Sequence, residues 1–247
     1  MAALQTIRLN PNLEVTRQKI VDDAFCVVVD DFLMDPHALI DYACESVDLF
    51  LTPKLSYPGM MQTLGEPVLK DFHRFVLGRM GEEFSFLRGK STLETGLTMI
   101  TFPPEQLSTY QRLCHTDPRD TMGWRKYAAL IYLFIDERLG GTAFYRYRKL
   151  DVVHQALTLD MQDPDASATY LAEHTAVFRK PPCYITESNE LAELLHVVPA
   201  RFNRMVFYSG EMAHSAHITS PELLSTDFRK GRLTLNCFAS VLPIIWA

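Results

Sequence analysis

Apolar and polar positions change their period along the chain. Phe25-Cys26-Val27-Val28-Val29-Asp30 is a short β-branched run suited to a buried strand. Asp35-Pro36 then supplies an N-cap residue followed by proline at a first helical position, so a helix is predicted there, with Leu39, Ile40 and Ala43 on one face. Val68, Leu69, Phe72, Phe75, Val76 and Met80 recur at three- and four-residue spacing and predict a second helix. From Gly96 onward the period shortens. Runs rich in β-branched and aromatic residues at 97–102, 127–135, 143–147, 204–208 and 232–241 predict strands. Gly140-Gly141 separates the second and third of them as a hairpin turn would, and the spacing suits an antiparallel meander. Residues 160–168 are polar and turn-rich and 188–195 have helical character, so this stretch reads as an insertion beside the sheet. The expected class is mainly β (α+β), in one domain over 1–247: helical support over about 1–90, and strands enclosing a barrel over about 91–247.

Composition narrows this picture. With 47% hydrophobic and 22% charged residues, the chain has the make-up of a globular protein rather than a disordered one. A net charge of -6 argues against an electrostatic grip on nucleic acid or on an anionic membrane surface. The longest apolar run, 128–135, is far short of the roughly 18 residues of a membrane span. The N-terminus lacks the basic and apolar regions of an export signal, so the expected location is the cytoplasm. Five cysteines, Cys26, Cys44, Cys114, Cys183 and Cys237, are odd in number and form no CxxC pair, which fits reduced thiols serving as small core residues.

Candidate chemistry centres on Cys114-His115-Thr116-Asp117. In an extended segment, residues two apart share a face, so His115 and Asp117 can converge on one point. A third ligand, His214 or His217, follows about a hundred residues later, just after a predicted strand. Two imidazoles and a carboxylate are the inventory of a facial triad that suits Fe(II) and leaves coordination positions open. Further on, Gly231-Arg232-Leu233-Thr234-Leu235-Asn236 places a guanidinium and a hydroxyl on one face of a late strand. That pair matches a dicarboxylate: the planar fork holds a carboxylate bidentately and the hydroxyl adds a directional bond. His214 and Arg232 stand 18 positions apart, which a turn inserted over 220–230 accounts for. That gap also keeps His217 open as the ligand and Arg229 as the anchor.

The HTD triplet, the Gly210-Glu211-Met212-Ala213-His214 segment and the GRLTLN strand resemble the iron- and 2-oxoglutarate-binding elements of prolyl-hydroxylase-type oxygenases. The GGTAFYR segment at 140–146, Pro199-Ala200-Arg201-Phe202-Asn203-Arg204 and GRLT resemble a little-characterised bacterial family related to those enzymes. The resemblance runs from about Phe25 to the C-terminus. It implies a double-stranded β-helix (jelly roll) and an Fe(II)- and 2-oxoglutarate-dependent dioxygenase that hydroxylates a small molecule or peptide with dioxygen. It also implies His115, Asp117 and His214 as metal and catalytic residues. Arg232, Thr234 and Tyr132 would hold the cosubstrate, Tyr132 because a tyrosine hydroxyl assists cosubstrate binding in related enzymes. Two other classes are a non-catalytic jelly-roll binding protein and a cupin-like metalloenzyme that does not use 2-oxoglutarate. The intact ligand set weighs against the first, and Arg232 with Thr234 against the second. Tyr145, Tyr147 and Trp124 are further candidates for the cavity wall, with core packing the commoner role for the tyrosines.

Overall fold

The computed structural model describes residues 4–53, 57–86, 90–117 and 123–242. Its β-branched runs pair into two antiparallel sheets. The larger has seven strands in the order β1 (Thr16–Val21), β2 (Ala24–Val29), β8 (Met205–Ser209), β5 (Arg125–Tyr132), β10 (Arg232–Leu242), β4 (Lys90–Ile100) and β3 (Gly59–Thr63). The smaller has β7 (Ala192–Val198), β6 (Gly141–Tyr147) and β9 (Ala213–His217). The first 90 residues thus supply three strands of the large sheet as well as helices. No hydrogen-bonded strand pair among the described residues joins the two sheets into a closed barrel.

Because successive strand residues point to opposite faces, each strand of the large sheet serves two environments. On β10, Leu233, Leu235, Cys237, Ala239 and Val241 are almost wholly buried. They join a core with Leu39, Ile40 and Ala43 of α1 (His37–Glu45) and Leu69 and Phe72 of α2 (Glu66–Phe75). Asp35 caps α1 as its position suggested, its carboxylate accepting from the Ala38 N–H at 3.2 Å. The second predicted helix is α2. It continues through one wide π turn (Val76–Met80) into the short α3 (Gly81–Glu83), keeping Val76 and Met80 in the same core. The opposite face of the sheet packs Cys26, Val28, Ala128 and Val206 against Phe144 of β6 and Val198 of β7, so the small sheet faces the large one across a second core.

The meander expectation fails at Gly140-Gly141. β5 and β6 do not pair; the chain crosses there from the large sheet to the small one. The glycines serve close approach rather than a hairpin. A Cβ on Gly140, at φ 87°, would stand 2.0 Å from the His217 carbonyl oxygen, and one on Gly141 would stand 1.9 Å from that of Val198. The insertion also differs from expectation. It contains α4 (Leu150–Asp160) and α5 (Pro164–His174), and 188–195 runs into strand β7 instead of a helix. The polar stretch at 160–168 holds a helix start: Asp163 accepts from the Asp165 and Ala166 N–H groups, and Pro164 opens α5. Among the described residues no helix is long and apolar enough to cross a membrane. Cys26, Cys114 and Cys237 are buried, and burial pushes the first two thiols up to about 12 and the third to about 11.

Candidate metal centre and its cavity

The extended segment that carries His115 lies alongside β9. His115 N–H donates to the His214 carbonyl at 3.0 Å and His214 N–H donates to the His115 carbonyl at 2.8 Å. Two residues on, Asp117 N–H donates to the Gly210 carbonyl at 2.8 Å. Three backbone bonds therefore fix His115 and Asp117 against the turn between β8 and β9 that leads into His214. Ligand-capable atoms of His115, Asp117 and His214 all lie within 4.8 Å of one another. His217 is an odd number of residues away on the same strand and leaves this group: its Nε2 donates to the Thr186 carbonyl at 3.0 Å.

The donor set has the electronic state that a cation needs. His214 Nδ1 donates to the Met212 carbonyl at 2.9 Å, which leaves Nε2 with its lone pair. Burial lowers the pKa of His214 to about 4. Burial, helped by the neighbouring His214, lowers that of His115 to about 3. Both rings are neutral at pH 7 and able to ligate. The pKa of the Asp117 carboxyl is raised by burial, and its Oδ2 is buried with no hydrogen-bond partner among the described residues. A buried carboxylate oxygen without a partner is costly unless something positive meets it, and a divalent cation between two imidazoles supplies that. The residues present thus fit a 2-His-1-carboxylate site. Gly210 makes the arrangement sterically feasible, since a Cβ there would stand 2.1 Å from Asp117 Oδ2.

These three residues line one wall of a cavity of about 500 Å³ between the sheets. Arg232 and Thr234 line the same cavity from β10. Arg232 is 4% exposed, with Nε and Nη2 donating to the Gly140 and Gly141 carbonyls at 3.2 and 2.9 Å. The strand-crossing glycines therefore also hold the guanidinium in place. Thr234 shares a 2.9 Å hydroxyl contact with Thr98, and Tyr57 lines the cavity with both threonines and Arg232. Arg229 lies elsewhere, on the surface, paired with Asp41 at 2.8 Å. A 3₁₀ turn (Pro221–Leu223) and a turn closed by Lys230 and Gly231 N–H groups donating to the Asp227 carbonyl take up the span between His214 and Arg232.

Tyr132 is placed behind this site. Its ring lies 6.0 Å from the Arg232 guanidinium, and its hydroxyl pairs with Thr142 at 2.8 Å, with Thr142 rather than Tyr132 facing the cavity. Tyr145 and Tyr147 spend their hydroxyls on the carbonyls of Ile185 and Cys114, and Trp124 is not part of the cavity wall. The sequence reading missed Tyr57, Asn236 and Gly210. Asn236 continues the two-residue alternation of Arg232 and Thr234 and was legible on that ground; Tyr57 lies in a loop that carries no comparable signal.

Several solved structures are similar at low identity. HygX from Streptomyces hygroscopicus, with nickel, 2-oxoglutarate and hygromycin B bound, has a TM-score of 0.48 at 12% identity, covering 91% of this chain and 85% of that chain. A prolyl-4-hydroxylase of Pseudomonas putida has a TM-score of 0.44 at 12% identity, covering 94% and 93%. The viral collagen prolyl hydroxylase of Paramecium Bursaria Chlorella virus-1 has 0.44 at 8%, covering 92% and 100%. All three scores are too slight to carry fold or function to this chain. No curated protein matches it. A family model described as a family of unknown function (DUF6445) matches residues 11–239, and the chain belongs to that family.

Proposed function

We propose that this protein is an Fe(II)- and 2-oxoglutarate-dependent dioxygenase that hydroxylates its substrate, built as a variant double-stranded β-helix. One observation carries the reading: His115, Asp117 and His214 converge within 4.8 Å on the wall of a cavity that also holds the buried Arg232. His115, Asp117 and His214 would hold the iron, and as three ligands they would leave it open to a cosubstrate beside them. Arg232, oriented by the Gly140 and Gly141 carbonyls, would meet the distal carboxylate, and the Tyr57, Thr98 and Thr234 hydroxyls would bond it beside the guanidinium. Bound iron would supply the dioxygen chemistry. The protein's share is to orient both molecules and to exclude water. Overall, substrate C–H, 2-oxoglutarate and O₂ become substrate C–OH, succinate and CO₂. This balance accounts for both oxygen atoms of O₂, one in the alcohol and one in succinate.

The reading is tested by following 2-oxoglutarate conversion to succinate in air with added Fe(II) and ascorbate. Metal-dependent succinate formation is expected from the unaltered protein and its loss from Asp117→Asn. Equal succinate from both proteins, or none from the unaltered one, contradicts the reading.

A further inference from the structure

β10 sends Arg232, Thr234, Asn236, Phe238 and Ser240 into the cavity in succession. The cosubstrate reading uses the first two. The other three lead outward, and their cross-strand neighbours carry opposite charges. Phe238 lies between Glu94 on β4 and Ala128 on β5, and Ser240 between Thr92 and Lys126. Glu94 and Lys126 both line the cavity.

Each of these groups is left with something to bind. Asn236 Nδ2 donates to Thr98 Oγ1 at 3.0 Å, but its Oδ1 is buried with no partner among the described residues, an acceptor that awaits a donor. Glu94 is exposed, and among the described residues no basic side chain pairs with it. Lys126 Nζ donates to Ser240 Oγ at 2.6 Å, which draws the ammonium across toward β10; among the described residues it forms no direct ion pair, though its charge acts on the Asp117 carboxyl, holding that pKa down against the rise that burial causes. Phe238 is 41% exposed and lines the cavity, so its ring is open to an apolar group of a ligand. The mouth is thus polarised across three strands: an anion on β4, a cation on β5 and an aromatic face on the strand between.

We infer that the outer half of the cavity binds a small zwitterion of amino-acid type. Its ammonium lies at Glu94 and the free Asn236 oxygen, its carboxylate at Lys126, and its apolar side chain on Phe238. A cavity of about 500 Å³ is within the range that holds small ligands, which suits a dicarboxylate and one such molecule together. The assignment rests on the oxygenase reading, because that reading allots the Arg232 end to the cosubstrate.

Three probes share one carbon skeleton and differ only in charge: L-leucine carries both groups, isoamylamine the ammonium alone and 4-methylpentanoate the carboxylate alone. They are titrated calorimetrically into the full chain, loaded anaerobically with Fe(II) and 2-oxoglutarate. Leucine is expected to bind at least about tenfold more tightly than either singly charged analogue, one charge-assisted contact being of that order. Glu94→Gln should weaken leucine and isoamylamine about tenfold and leave 4-methylpentanoate within about twofold; Lys126→Met should do the reverse. A 2-oxoglutarate titration of each variant controls for folding. An analogue that binds as tightly as leucine, variants without effect, or no probe binding to protein that does bind 2-oxoglutarate overturns the inference. Failure to bind 2-oxoglutarate at all sinks the oxygenase reading first and this inference with it, so the two failures separate at the loading step.

Discussion

The two faces of the large sheet are made by the same strands and do different work. On β10 one set of alternate residues, Leu233, Leu235, Cys237, Ala239 and Val241, is packed against the N-terminal helices, while the interleaved set from Arg232 to Ser240 faces the cavity. Along this strand the helix-covered face is apolar but for one small polar pair, Thr95 opposite Cys237, the threonine hydroxyl meeting His73 of α2 at 2.9 Å. The cavity face contains a buried guanidinium, a buried hydroxyl pair and an amide oxygen without a partner. Such groups are expensive to bury, and apolar residues of similar size would make a more stable sandwich. A face that keeps them is organised for a ligand, and stability is supplied by the face behind it.

Substitutions can break that division or sharpen it. The largest effect belongs to the metal wall. His214→Ala is expected to lose Fe(II) altogether and with it any 2-oxoglutarate turnover, whereas His217→Ala, whose ring bonds the Thr186 carbonyl, keeps its iron. Metal analysis of both folded variants decides it; iron retained by the first and lost by the second reverses the ligand assignment. Next comes the helix-covered face. Leu235→Ala should cost about 2–5 kcal/mol of stability, read by denaturant unfolding, with 2-oxoglutarate affinity of the folded fraction unchanged.

On the cavity face, Arg232→Ala should raise the 2-oxoglutarate Kd by roughly 10- to 100-fold while Fe(II) binding stays nearly intact. Parallel loss of iron would place Arg232 in the metal's support instead of at the cosubstrate. An effect of similar size, on the metal instead of the cosubstrate, is expected of Gly210→Ala. Its added methyl presses on Asp117 Oδ2 and should weaken Fe(II) by about 10- to 100-fold, as disturbing a ligand's support does, with the Leu235 core untouched. Titration with Fe(II) alone measures this, and an unchanged affinity shows that Asp117 has room to move.

How much of this was legible in the sequence depends on whether a feature is periodic or topological. His115 and Asp117 share a face because of their spacing, and Arg232 and Thr234 for the same reason, so both pairs could be read directly. Asn236 obeyed the same period but carried no chemistry until its oxygen was seen without a partner. The resemblance of the 210–214 segment already favoured His214 over His217; the physical reason, the pairing of β9 with the His115 segment, is a contact across about a hundred residues that local pattern does not contain. Gly140-Gly141 was misread because glycine answers equally to a hairpin and to close backbone approach. Only the partner strands show which applies. Asn203, in the Pro199–Arg204 stretch that carries part of the resemblance, is structural: at φ 61° it exchanges hydrogen bonds at 2.9 Å with the Leu33 backbone, clamping the β2 exit to the turn before β8. β7 escaped notice because Glu193 and His196 interrupt its apolar character.

The most direct test of the central claim is spectroscopic. The apoprotein is titrated anaerobically with Fe(II) and then with 2-oxoglutarate while the visible spectrum is followed for the metal-to-ligand charge-transfer band that a chelated 2-oxo acid produces. The expected result is a band that requires both additions, saturates at one equivalent of iron and is absent from His214→Ala. A spectrum that stays featureless after both additions to metal-free, folded protein contradicts the claim.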